Sequence, residues 1–535
     1  MQTPPINLAT WLLAFSPIAT VLVLMVGFRW SGSKAGAMGW VVGLVVAWLF
    51  FGAGPELLLY SQIRGLLLTL FVLYIIWMAL VLYRAVDEAG AITVIGQGIA
   101  RLTSEPTMQL LLLAWAFSSF IQGVAGFGVV LAIVAPLLIG LGFAPMVAVA
   151  AVSIGHSWSI TFGSMASSFQ ALMAATGLPG DKLAPWASLL LGVGCFLCGI
   201  GVVWIFRGAR SVRKGWVAIL IMGLVMAGVQ AGLALTGLWN LGGFGAGLAG
   251  LAAGSLVARL PRYQGGDDGA EATGLGQIQV PMPQGNKGPH MSLALAVLPY
   301  LILIVVVAAA ELWPWLNGVL NQIELRIEFP EVSTSYGWVV PAGAGRSISV
   351  FGHAGALLAY AAVLAFLIYE RRGAYSPGVM RRIARSTVKS AGPSSMAILT
   401  MVGFAVAMEN SGMTYVLAQG LSQISGPLYP LISPYIGLLG SFMTGSNTNS
   451  NVVFASLQQQ AAALLGISVP LILGAQTTGA ALGSMLAPAR LIVGCSTAGL
   501  VGREGQVLKK LLPIGLITTG LIGLLVLAAV LLGVQ

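Results

Sequence analysis

The sequence predicts an all-α polytopic membrane protein of about 12–14 transmembrane helices, built as two inverted repeats with re-entrant hairpins and broken helices. Three observations carry this. The 535 residues are 58% hydrophobic and only 7% charged, with a mean hydropathy of +0.94. Soluble domains carry about 25% charged residues, so this composition cannot cover a water-facing surface. The apolar runs leave room for a dozen or more spans of about 20 residues. Finally, two polar interruptions of the apolar pattern recur at nearly one spacing.

A first helix covers about residues 8–28 and leads to Arg29. Helices near 36–53 and 62–84 go out and return to Arg84. A span near 185–206 descends to Arg207, and helices near 216–236 and 240–258 go out and back. Spans near 291–310 and 350–369 make another such pair ending at Arg371, and a last helix near 511–533 ends the chain outside. The basic clusters at 29–34, 207–214, 371–389 and 503–510 then share one face, which the positive-inside rule makes cytoplasmic. The loop holding Glu311, Glu324, Glu328 and Glu331 falls outside. Residues 259–290, rich in Gly, Pro and Gln, form a cytoplasmic linker between a first half, 1–258, and a second half, 291–535. The N-terminal apolar run has no leading basic region and no clear cleavage site, so it is a retained helix.

The net charge of +10 does not point to nucleic acid, because the cations sit in short loops between apolar runs. Three cysteines exclude a disulfide framework, and Cys195 and Cys198 read as packed thiols, with no further ligand near their C-x-x-C. Gly245, Gly247 and Gly250 spell G-x-G-x-x-G inside an apolar helix with no preceding strand, and so read as helix-packing glycines. No Ser-His-Asp order, H-E-x-x-H or Walker-type loop occurs, so neither an enzyme nor a cofactor is expected. Without an ATP-binding domain, uphill transport would draw on an ion gradient.

Residues 107–165 and 430–500 resist a plain helical reading. The first contains Ser119-Phe120-Ile121-Gln122-Gly123-Val124-Ala125-Gly126-Phe127-Gly128; the second contains Ser441-Phe442-Met443-Thr444-Gly445 and runs on through Ser446-Asn447-Thr448-Asn449-Ser450-Asn451. Three anchor pairs, Ser119/Ser441, Pro145/Pro470 and Gly163/Gly483, lie 322, 325 and 320 residues apart. Such a repeat in an apolar chain points to a secondary transporter with its substrate site at mid-membrane. Unpaired amides and backbone facing lipid would each cost several kcal/mol, so the run 445–451 must face protein or a water-filled cavity. Broken helices there aim N–H groups and the positive end of a helix dipole inward, which suits a carboxylate. The plainer alternative is interhelical hydrogen bonding alone.

Ionisable residues inside spans are functional candidates because burying charge in a bilayer is costly. His156 is suited to carrying a proton, or is a neutral hydrogen-bonded core imidazole. Glu409 is a second proton site, or an interfacial residue at a helix end. Arg490, just past the second break, can grip a carboxylate through two N–H groups, or snorkel to the interface.

At these segments the chain resembles the lactate permease family of bacterial hydroxy-monocarboxylate transporters. The likeness is strongest in 115–165 and 398–505. It is carried by Phe120 to Gly128, Gly140-Leu141-Gly142-Phe143, Asn410-Ser411-Gly412-Met413, Thr444 to Phe454 and Thr477-Thr478-Gly479. The resemblance implies proton-coupled import or exchange of lactate, glycolate and similar 2-hydroxy acids across the bacterial cytoplasmic membrane, by elevator motion of inverted repeats. The chain departs from the family pattern with Gln122 in place of an acidic residue, Asn447 in place of Asp and Ser484 in place of Lys.

The expected site holds a small organic anion between the two breaks. Backbone N–H groups, Thr444, Ser446, Asn447 and Thr448 would bind it with Gln122 opposite, and Gly123, Gly126, Gly128 and Gly445 would allow tight turns. Thr477, Thr478 and Arg490 complete the binding set, and His156 and Glu409 carry the coupling proton. Expected partners are that anion, a proton or sodium, membrane lipid and no nucleic acid, with a homodimer as one assembly. The alternatives are sodium coupling, a dicarboxylate or sulfonate substrate, a channel, or a membrane-embedded enzyme.

Overall fold

The computed structural model describes residues 6–28, 30–126, 128–264 and 291–534. Most of the linker read at 259–290 lies outside these residues, as do Arg29 and Phe127. Among the described residues, twelve helices are long and apolar enough to cross a membrane. Nine correspond to the spans read from the sequence: Leu8–Gly27, Gly32–Phe50, Pro55–Glu88, Gly180–Arg207, Ala209–Leu235, Trp239–Val257, Leu293–Leu312, Ala354–Arg371 and Glu504–Leu531. Several run past the expected ends, because a hydropathy signal stops at the first polar residue and a helix need not. On Pro55–Glu88, Gln62 accepts from Trp40 at 2.8 Å, and Arg64 donates to the Pro341 carbonyl at 3.2 Å while lying over the Phe329 ring.

Pro106–Val124 and Val469–Leu486 fill the two regions that resisted assignment. Val379–Asn410 is a span the sequence reading did not resolve. Its first three turns carry Arg381, Arg382, Arg385 and Lys389, and so read as a loop.

Within this all-α fold the acidic loop carries short strands. Three antiparallel two-residue ladders pair Glu324 with Ser349, Glu328 with Ala344 and Val332 with Val340 along one hairpin. Ser335 donates its backbone N–H to Gly52 at 2.9 Å, and Trp338 packs on Tyr415 with ring centroids 5.4 Å apart. At the far end of Pro55–Glu88, Arg382 Nε meets Glu88 Oε2 at 2.9 Å and Tyr375 donates to the Ala85 carbonyl at 2.9 Å. The acidic hairpin and the 371–389 basic cluster therefore sit at opposite ends of one helix, as the charge distribution requires.

Close backbone approach is the main packing device, as expected where lipid supplies no hydrophobic drive between helices. A side chain on Gly483 would meet the Leu438 Cα at 2.6 Å, and one on Gly242 the Phe162 Cβ at 3.1 Å. Gly245, Gly247 and Gly250 do pack a helix, Gly242–Val257, against its neighbours.

Two predictions follow from this packing. Gly483→Val should overpack the crossing with Leu438 and lower stability by about 1–3 kcal/mol, read as an earlier melting transition of the detergent-solubilised protein. The second concerns His353, just before Ala354–Arg371. It stacks on Tyr74, lies edge-on to Phe71, and accepts from Gly355 N–H at 3.2 Å. Burial, and then the Arg346 guanidinium, push its pKa down from 6.5 to about 4. The unfolded chain thus binds the extra proton first, so stability is full above about pH 6.5 and falls as pH drops towards 4. Melting curves across that window should show the loss in the wild type and a shallower one in His353→Gln.

Candidate functional site

The second interruption is a helical hairpin. Tyr429–Thr444 and Asn447–Leu464 run antiparallel, joined by a tip in which Gly445 takes φ 71°. That left-handed turn is open to glycine at no steric cost. Thr444 Oγ1 donates to the Gly440 carbonyl at 2.8 Å and accepts from Ser446 N–H at 3.2 Å, and Ser446 Oγ accepts from Asn449 N–H at 3.3 Å. The hairpin is clamped by a buried network. Tyr429 donates to Gln458 at 2.6 Å, Gln458 to Gln476 at 2.9 Å, and Gln476 to Ser450 Oγ at 3.1 Å.

The first interruption pairs a turn with a broken helix. Pro106–Val124 ends at Ala125, the chain turns through Gly128 at φ 85°, and Val129–Gly140 follows. Pro145–Ser159 and Gly163–Thr176 then meet at a 52° bend. Ser164, Met165 and Ala166 all adopt left-handed φ values of 47°, 53° and 56°. Each such non-glycine residue costs about 1–2 kcal/mol, so the surrounding packing must hold them. The anchor pairs fall at matching places. Pro145 and Pro470 each open a helix, and Gly163-Ser164-Met165 and Gly483-Ser484-Met485 each sit at a break.

The hairpin tip and the first break meet at a small, partly open polar cavity. Its lining includes Gln122, Ser164, Ser168, Asn447, Thr448 and Arg490. Hydrogen bonds stitch the two interruptions together. Asn447 Nδ2 donates to Thr161 Oγ1 at 2.9 Å, which lies 3.1 Å from Thr477 Oγ1; Asn451 Nδ2 reaches Thr477 Oγ1 at 2.9 Å; Ser168 Oγ lies 2.9 Å from Thr448 Oγ1. Arg490 is 7% exposed; its Nε donates to the Gly445 carbonyl at 2.9 Å, while its Nη1 is buried without a protein partner. Gln122 Oε1 and the Oδ1 atoms of Asn447, Asn449 and Asn451 are also buried and unpartnered.

Of the residues expected at the site, Gln122, Gly126, Ser446, Asn447, Thr448 and Arg490 line the cavity. Thr444 and Gly445 shape the tip, and Thr477 stands behind Asn447 and Asn451. Thr478 is buried with its hydroxyl unpaired by protein. Gly123 is not a turn residue. It lies within a helix, where a Cβ would strike Phe244. His156 is outside the lining, with Nδ1 2.5 Å from its own helix's Val152 carbonyl. Glu409 is also outside it. It lies on Val379–Asn410, which packs against the hairpin helix Asn447–Leu464. Sequence reasoning missed Thr161, Ser167, Ser168 and Asn451 as members. The signal for the serines was the polar run resuming after Gly163 in an apolar stretch.

Among the described residues, a helical bundle with twelve candidate crossings surrounds a polar cavity lined by hydroxyls, amides and a single cation, the architecture of a multi-pass membrane protein. The sequence model described as L-lactate permease matches residues 10–533, and the chain belongs to that family. It is 26% identical to the L-lactate permease of Bacillus subtilis, covering 93% of this chain and 94% of that one. It is 27% identical to the L-lactate permease of Salmonella typhimurium, over 96% and 94%. It is 25% identical to the glycolate permease of Escherichia coli, over 96% and 95%. Like these bacterial permeases, it is a multi-pass protein of the cytoplasmic membrane. Among solved structures, the YdaH transporter of Alcanivorax borkumensis aligns over 86% of this chain and 85% of its own, at 15% identity and a TM-score of 0.47.

Thr161 is the hinge of the hydrogen-bond ring, because it joins Asn447 to Thr477. Thr161→Val keeps the shape but leaves the Asn447 amide without its acceptor. The expected cost is about 1–3 kcal/mol, measurable by thermal unfolding, with Thr161→Ser restoring most of it.

Proposed function

We propose that this chain is a secondary active transporter of a small 2-hydroxy-monocarboxylate, lactate or glycolate, moved with a proton by an elevator-type mechanism. The observation that carries the reading is the buried, half-used guanidinium of Arg490. Among the described residues it is the one charged group lining the cavity, and its Nη1 has no protein partner. A buried cation demands a counter-charge, and one carboxylate supplies it; a dicarboxylate would leave its second charge without a partner among the described lining residues. The first turn of Asn447–Leu464 adds N–H groups and the positive end of a helix dipole. Ser164, Ser168, Thr448, Gln122 and Asn447 offer partners to a 2-hydroxyl.

The two halves, 1–258 and 291–535, each contribute one interruption, so alternating access would move the shared cavity as a unit. The scaffold for that motion is the pair Pro55–Glu88 and Val379–Asn410. Glu409 sits at the end of the second, which packs against the hairpin, and we assign it the coupling proton, with His156 as the second carrier. Sodium coupling is the second reading. It is favoured by the unpartnered oxygens of Asn447, Asn449 and Asn451, which can ligate a hard cation. The coupling ion, the homodimer and the inverted-repeat motion all belong to this proposal.

Uptake of labelled L-lactate and glycolate into proteoliposomes tests it. Saturable uptake should be accelerated by a pH gradient in sodium-free buffer, and Arg490→Gln should lower it by about 10–100-fold. Acceleration by a sodium gradient alone would transfer the coupling to the second reading. No uptake of any short hydroxy acid under either gradient would end the proposal.

A further inference from the structure

Ile160 stands apart in the cavity. Among the described residues, every other lining residue presents a hydroxyl, an amide, a guanidinium or bare glycine backbone, and Ile160 alone presents an aliphatic side chain. Its position is fixed by the bend itself, since its N–H donates to the Ser157 carbonyl at 3.3 Å and its carbonyl accepts from Gly163 N–H at 3.1 Å. Behind it lies a packed cluster including Phe162, Phe169, Leu172, Leu191 and Leu473, all fully buried. Ile160 therefore cannot retreat to admit a larger group, and among the described residues it is the apolar wall of an otherwise polar chamber.

A 2-hydroxy acid has the complementary pattern. Its carboxylate and hydroxyl seek charge and hydrogen bonds, and the substituent on C2 is its one apolar part. Pressed against the amides and hydroxyls, that substituent would leave buried polar groups unpaired; against Ile160 it costs nothing. We propose that Ile160 is the specificity-determining residue that sets the length of the C2 substituent the transporter accepts. This rests on the reading that Arg490 holds the carboxylate. Hydrogen (glycolate) leaves the wall uncovered, methyl (lactate) covers it, and ethyl (2-hydroxybutyrate) collides with it.

The test is competition by glycolate and 2-hydroxybutyrate against labelled L-lactate uptake, in proteoliposomes of the wild type, Ile160→Val and Ile160→Phe. One methylene in an apolar pocket is worth about 10-fold or more in discrimination. The Val variant should improve 2-hydroxybutyrate relative to lactate by about 10-fold, and the Phe variant should weaken lactate relative to glycolate by a similar factor. Where the Phe variant fails to insert, the Val variant alone decides. Preference ratios within about twofold of the wild type in a folded variant overturn the assignment. A wild type that takes up none of the three acids fails at the underlying reading instead, and the two failures are distinguishable.

Discussion

The structure depends on one constraint: inside a membrane, every N–H and C=O freed by interrupting a helix must find a partner within the protein. Two interruptions placed side by side meet it jointly. The turn at Gly445 and the bend near Ile160 each expose backbone and polar side chains, and the side chains of one satisfy those of the other through Asn447, Thr161, Thr477 and Asn451. Several buried polar atoms at the cavity keep no protein partner. Arg490 Nη1, Gln122 Oε1 and Asn447 Oδ1 are left for an occupant.

The rest of the bundle is organised to hold those interruptions still. Gly483 lets the backbone at the second break approach Leu438, and the Tyr429–Gln458–Gln476–Ser450 network ties both arms of the hairpin to Val469–Gly483. These contacts are local and fully paired. By contrast, Val379–Asn410, which packs against the hairpin, carries the ionisable Glu409 at its end.

Much of this was legible in the residues. Spans such as Gly180–Arg207 and Ala209–Leu235 announce themselves because apolar length is a one-dimensional property. The tip of the hairpin was legible too, since Gly445 to Asn451 places seven residues without an aliphatic side chain in an apolar setting. Val379–Asn410 was hidden by its own arginines, and the 324–349 hairpin by ladders only two residues long. Gly123 misled because a glycine serving a turn and one serving a helix crossing look alike in one dimension. Ser168 and Thr161 escaped because partnership across 280 or more residues has no local signature.

The left-handed triplet Ser164-Met165-Ala166 has a consequence for how this lineage can drift. Glycine entering any of the three positions would relax the chain, at the risk of loosening the bend. Valine, isoleucine or threonine would clash with their own main chain before touching a neighbour. The mutational traffic through the heart of the chamber is thus one-way, towards smaller residues and looser geometry, and the cleanest record of that pressure should be a shortage of branched side chains at these three codons.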